Sequence, residues 1–284
     1  MLRKLSVIAA VAGLLTAGVA GQALASGHPL PAKDVHWSFE GPFGKFDQAQ
    51  LQRGYKVYRE VCSACHSMSL VSFRNLGDKG APFYDEKYPN SNDNPYVKAI
   101  AKDYEVADID NETGDTIKRP ATPADRFPAP FPNEAAARAG NGGALPPDMS
   151  LLAKAREAGP DHIYSIVTGY ATPPAGLKVD PTSHYNQYMA GDLTSYWSGD
   201  HKHVPPGGFI AMAPPLKAGQ VTFDDGTPST LDQQAKDVSA FLMWAAEPKL
   251  EERKQTGFAV LAYLVLFAGL LYASYRQVWK NESH

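Results

Sequence analysis

The residues best placed to do chemistry are Cys62-Ser63-Ala64-Cys65-His66. Two thiols at this spacing can form thioether bonds to the two vinyl groups of one haem, and the adjacent imidazole can turn onto its iron. The chain has only these two cysteines among 284 residues, so no thiol remains for a disulfide or a Cys-rich metal site. A thioredoxin-like dithiol needs a βαβ context, which the sequence around residue 62 lacks. A zinc site needs a second Cys/His pair at ligand spacing, and none follows. Covalent haem is the reading these residues favour.

An electron-transfer haem fills both axial positions of its iron, and the second ligand is a Met or a His. Met1 belongs to the leader, Met68 is too near His66 to reach the far face, and Met243 falls off the apolar stripe of its helix. Met149 and Met189 stay open. Met212 is the strongest candidate, in Gly207-Gly208-Phe209-Ile210-Ala211-Met212-Ala213-Pro214-Pro215-Leu216. Its small neighbours permit close backbone approach, and the prolines stiffen the loop. His184, His201 and His203 compete, and core filling is the commoner use of methionine. A thioether ligand would raise the potential and close the iron to oxygen or substrate. The chain would then carry single electrons and perform no bond chemistry.

Two helices are expected to bracket this segment. Asp47 to Val61 opens with a capping-type Asp47/Gln50 pair and repeats Leu51, Tyr55, Tyr58 and Cys62 at helical spacing. Leu231 to Glu247 opens with Thr230/Gln233, carries Val238, Phe241, Leu242 and Ala245 on one face, and ends at Pro248. Gly54, costly inside a helix, suits a close crossing with that second helix. Between them, Gly77 to Gly226 is rich in proline and glycine, with short helices expected at Asn94–Asp103, Asn133–Ala139, Met149–Glu157 and Asp161–Gly169, and no sheet. The fold class is mainly α, one domain wrapped by long loops.

The ends place this domain. Met1-Leu2-Arg3-Lys4, an apolar run to Ala20 and the small residues Ala23 and Ala25 read as a signal peptide over residues 1–25, with bacterial export preferred over a mitochondrial transit peptide. Gly257 to Tyr275 holds no charge and reaches about 28 Å as a helix, close to the hydrocarbon thickness of a bilayer. Tyr272, Tyr275 and Trp279 suit an aromatic belt, followed by Arg276 and Lys280. The expected organisation is a periplasmic haem domain over 26–248, a linker over 249–256, a membrane anchor over 257–275 and a cytoplasmic tail over 276–284, in a bacterial inner membrane. A formal charge of −3 gives nucleic acid no electrostatic footing.

Four segments, in order, resemble the cytochrome c1 family, the haem subunits of cytochrome bc1 complexes. They are Arg53-Gly54-Tyr55-Lys56-Val57-Tyr58 leading into the haem motif; Asn133 to Arg138 with Asn141-Gly142-Gly143-Ala144-Leu145-Pro146-Pro147-Asp148; Ile210 to Leu216 with Phe223-Asp224-Asp225-Gly226-Thr227-Pro228; and Asp237 to Pro248. The resemblance implies a class I cytochrome c-like haem domain with one C-terminal transmembrane helix. It implies haem c bound to Cys62 and Cys65, ligated by His66 and Met212, with Arg156 reaching a haem propionate. A family tyrosine near a propionate is replaced by His162, with Tyr164 close by, and which of these makes the contact is open. The resemblance further implies a dimeric complex with cytochrome b and the Rieske iron–sulfur protein, which delivers the electron, and a cytochrome c that removes it. The acidic stretch Glu105, Asp108, Asp110, Glu112 and Asp115 could steer that acceptor or be a solvated insertion. The Tyr185–His203 loop lacks the disulfide of some bacterial relatives and must be held by packing. The alternatives are a membrane-anchored c-type cytochrome that shuttles electrons alone, and a haem enzyme with an open sixth position.

Overall fold

Asp47 starts the first helix of the folded domain by accepting a hydrogen bond from the Gln50 amide at 2.9 Å, which satisfies one of the amides a helix start leaves unpaired. The structure, a computed structural model, describes residues 28–280. The expected signal segment over 1–25 and the end of the tail over 281–284 lie outside the described residues. The first helix, α1 (Gln48–Val57), runs directly into a π-helical turn, Tyr58–Cys62. Ser63 N–H donates to the Tyr58 carbonyl at 2.8 Å, five residues back, so the helix is widened where Cys62 stands.

Next come α2 (Pro95–Lys102), capped by Asn94, and an antiparallel hairpin of β1 (Glu105–Ile109) and β2 (Thr116–Pro120). They are followed by α3 (Glu134–Gly140), capped by Asn133, and α4 (Pro160–Thr168). Strands β3 (His184–Asn186) and β4 (Gly208–Ile210) pair antiparallel, and α5 (Leu231–Ala246) and α6 (Leu250–Val278) finish the chain. The Thr230 hydroxyl accepts from Gln233 N–H at 3.1 Å and caps α5.

The core forms where α1 crosses α5. A Cβ built on Gly54 would stand 2.1 Å from the Asp237 carbonyl oxygen and 2.7 Å from Phe241 Cβ, so only glycine lets these backbones touch. Beside the crossing, Arg53 pairs with fully buried Asp237 at 2.9 Å and with Asp225 at 2.7 Å. Burial pushes the Asp237 carboxyl up, against the pull of Arg53 and Gln233. Tyr55, Tyr58, Phe127 and Phe241 pack around the same point. Helix α4 lies on α5, and the Trp37 indole donates to Asp161 at 2.7 Å, tying the N-terminal segment to α4. A smaller cluster of Leu177, Tyr185, Leu193 and Val204 supports the loop between β3 and β4. There the Tyr185 hydroxyl donates to the Pro206 carbonyl at 2.6 Å.

Three expectations are corrected. Two short two-stranded sheets are present where none was expected; their strands are short or half-exposed and carry little apolar alternation. The Met149–Glu157 segment is a series of turns closed by bonds that span three residues, Leu152 N–H to the Met149 carbonyl at 3.3 Å and Lys154 N–H to the Leu151 carbonyl at 3.0 Å, while Met149 N–H donates to the Ser67 carbonyl and Ser150 N–H to the neighbouring Asp148 carboxylate, each at 2.8 Å. The expected 249–256 linker is helical from Leu250 and continues into the apolar run without a break. No proline interrupts it after Pro248, and Glu251, Glu252, Arg253, Lys254 and Gln255 all favour helix. Among the described residues, α6 is the one helix long and apolar enough to cross a membrane, with none of its most apolar window buried.

Candidate functional site

The widened end of α1 presents the two thiols on one turn. Cys62 is half-buried and Cys65 exposed, and both are free. Cys65 N–H and His66 N–H both donate to the Cys62 carbonyl, at 3.1 and 2.9 Å, and close the turn tightly. Burial, with Cys65 nearby, pushes the Cys62 thiol up to about 12. Such a thiol is protonated at neutral pH, whereas an exchanging redox dithiol needs a thiolate.

His66 is buried, and its Nδ1 lies 2.8 Å from the Pro147 carbonyl. A carbonyl only accepts, so Nδ1 carries the proton and Nε2 keeps its lone pair. Burial lowers the imidazole's proton affinity, and the Pro147 bond opposes that only in part. The ring is thus a neutral, oriented ligand.

Asp148 holds the strap that supplies Pro147. Its carboxylate accepts from Ser67 Oγ, Ser69 N–H and Ser69 Oγ, each at 2.8 Å, and from Ser150 N–H at 2.8 Å. Burial would raise this carboxyl, but the bonds from Ser150 and Ser69 outweigh it and hold it well below the usual carboxylate range. The chain just after His66 is therefore latched to the chain that orients His66.

Met212 lies in the bend after β4, half-buried. Its carbonyl accepts from the Tyr170 hydroxyl at 2.8 Å. Next to it, Tyr170, Ala171, Thr172, Pro173, Val179, His184, Tyr185 and Pro214 line an open cavity of about 380 Å³. Of the competing ligands, Met68 is fully buried and Met149 nearly so, both as core residues. Met189 is half-buried. His203 is engaged by Asp200 at 2.7 Å, His201 is exposed, and His184 pairs across the strands with Ile210, two residues before Met212.

Arg156 is exposed in a bend rather than on a helix, and among the described residues its guanidinium donates to the Ala155 carbonyl at 3.1 Å. Burial, and after it the charge of Arg156, lowers the proton affinity of His162 on α4. The Tyr164 hydroxyl instead donates to Asp232 at 2.6 Å. The structure thus groups His162 with Arg156 and assigns Tyr164 elsewhere.

Two unpaired thiols on one turn beside a neutral imidazole with a free Nε2 suit the attachment of haem c, and Met212 offers a thioether from a separate, stiffened loop. Sequence reasoning missed Pro147, Asp148 and Tyr170 as positioning groups. Asp148-Met149-Ser150 carries a side-chain-to-backbone turn signal, but a carbonyl acceptor and a long-range tyrosine bond leave no local mark.

A model of the Cytochrome C1 family matches residues 37–282. The chain is 44% identical over 265 residues to a protein named cytochrome b/c1 from Bradyrhizobium diazoefficiens, covering 87% of this chain and 35% of that relative's length. It is 41% identical over 271 residues to cytochrome c1 of Rhodospirillum rubrum, covering 95% of both. With a mitochondrial cytochrome c1 haem protein of Solanum tuberosum it shares 42% identity over 267 residues, covering 94% of this chain and 92% of the relative. A match spanning the paired thiols, the Met212 loop and the terminal helix at these identities admits one assignment: the chain belongs to the cytochrome c1 family.

Proposed function

We propose that this chain is the haem-carrying electron-transfer subunit of a cytochrome bc1 complex. Haem c, when bound, supplies a one-electron iron couple. The observation that carries the assignment at residue level is the His66–Pro147 bond, which leaves Nε2 as the only free nitrogen of a buried, neutral imidazole beside two unpaired thiols. In this reading Cys62 and Cys65 would hold haem c through thioether links, and His66 and Met212 would hold its iron. Arg156 and His162 supply a positive charge and a hydrogen-bond donor toward a propionate. Asp148 and Tyr170 position the two ligand loops. With both side chains holding the iron, oxygen and substrate would have no site on it, and the chain's own task would be to orient the group and set its potential.

The partners follow from family membership. The electron would arrive from a Rieske iron–sulfur protein and leave to a cytochrome c. Cytochrome b would oxidise quinol within the same dimeric assembly, an enzyme of the quinol–cytochrome c reductase class. The haem domain would be periplasmic, with α6 as its single anchor in a bacterial cell membrane.

Haem staining of a denaturing gel, with a reduced-minus-oxidised spectrum of the purified complex, tests attachment. The expected result is a covalent c-type haem that copurifies with a b-type cytochrome and an iron–sulfur protein. Near-infrared absorption tests the far ligand: Met212→Leu should abolish the sulfur–iron charge-transfer band and lower the potential. If the band survives, Met212 is not the ligand.

A further inference from the structure

Phe43 is 80% exposed, more than any other large apolar side chain described. It is not loose. Its ring stacks on Phe258 with centroids 5.0 Å apart and planes within 7°. The loop that carries it is bound to the start of α6: Lys254 Nζ donates to the Phe39 carbonyl at 2.6 Å and to the Gly44 carbonyl at 3.2 Å. Phe46 N–H donates to Glu251 Oε1 at 2.9 Å. The return of the loop is tight enough that a Cβ on Gly44 would stand 1.9 Å from the Glu40 carbonyl oxygen. Loop and helix are therefore one body, with Pro42 and Phe43 held out at the tip.

The depth of this tip follows from the helix. The uncharged run Gly257–Tyr275 is about 28 Å long and matches the hydrocarbon layer, so Phe258, at its second position, stands at the boundary with the headgroups. A ring stacked on Phe258 stands at the same level. Exposed Lys45, two residues on, can keep its ammonium among phosphates while its stem lies on apolar surface. Aromatic rings are favoured at this level.

We propose that the Phe39–Phe46 loop is a second membrane contact of this chain, with Phe43 inserted at the headgroup–acyl boundary of the leaflet facing the folded domain. The partner is the lipid surface itself. The loop, together with α6, fixes the domain's orientation over the bilayer, which a single helix leaves free to swivel. The inference rests on α6 spanning the membrane.

The test uses nitroxide labels on Phe43→Cys and, separately, on Leu266→Cys in the middle of α6, in the full haem-bearing chain. Each is measured in phosphatidylcholine vesicles and again in the assembled complex. Collision rates with oxygen, which partitions into lipid, and with a water-soluble nickel chelate report depth. The expected result is an oxygen rate several-fold above the nickel rate at position 43 in both preparations, with position 266 deeper still. A nickel rate above the oxygen rate at 43, with 266 deep, overturns the loop contact and leaves the spanning helix intact. Low rates of both at 43 in the complex alone overturn it in favour of a protein subunit over the loop. A water-exposed 266 removes the spanning helix and the proposal with it.

Discussion

Gly54→Ala is the sharpest test of how this domain is held together. In a solvent-facing helix the change stabilises by about 1 kcal/mol. Here the new methyl would stand 2.1 Å from the Asp237 carbonyl oxygen, where ordinary contact begins at 3.4 Å. Neither group can turn away, because both belong to helix backbones, so α1 and α5 must separate by roughly 1 Å. Overpacking of that kind costs about 1–3 kcal/mol. A gap of about 0.5–1 Å also forfeits about a quarter to a half of the dispersion attraction across it, at a crossing that holds Tyr55, Tyr58 and Phe241. After subtracting the propensity gain from the upper end of that range, the net loss is about 2 kcal/mol. A domain of this size shifts by about 2–4 °C per kcal/mol, so the melting temperature of the haem-bearing chain should fall by about 4–8 °C. Far-ultraviolet ellipticity against temperature measures it. An unchanged or raised midpoint would refute the close-crossing argument.

Tyr170→Phe removes the donor to the Met212 carbonyl and should cost about 1 kcal/mol while leaving the fold intact. A weakened charge-transfer band or a shifted midpoint potential would reveal loosened ligation, and unchanged values for both would show that the bond does not position Met212. Asp148→Asn should cost about 1–3 kcal/mol through lost charge-assisted bonds. Because the folded carboxyl is depressed, the wild-type latch is fully present above its unfolded value of about 3.9 and lost as pH falls through that value toward the folded one. Acid titration of haem-region ellipticity should therefore show an acid limb that Asp148→Asn lacks. On the hairpin, Arg119 bridges Asp108 and Asp125, and Lys118 lies 3.7 Å from Glu105, leaving Asp110, Glu112 and Asp115 as the unneutralised tip. Reversing those three charges should slow reaction with a basic cytochrome c at low salt and have little effect at high salt. An unchanged, salt-independent rate would mean that the hairpin plays no part in docking.

The haem motif, the capped helices and the apolar anchor were legible in the chain alone because each depends on spacing within a few residues. Thiols three apart share a turn, Asp47 and Thr230 sit where free amides need acceptors, and an uncharged run of 19 residues matches the thickness of a bilayer core. Even the crossing at Gly54 left a trace, since a glycine inside a strong helix asks for a neighbour. What the chain could not declare were the bonds between residues far apart in it. The His66 tautomer is set by Pro147, 81 residues away, and Met149 N–H, at the start of the expected Met149–Glu157 helix, goes to the Ser67 carbonyl beside the haem motif. Tyr164 and His162, two residues apart, part company only because Asp232 on α5 stands under one and Arg156 beside the other. Local spacing specifies which groups can react. Their protonation, orientation and partners are decided by packing, because a hydrogen bond goes to whichever acceptor the folded core brings within 3 Å.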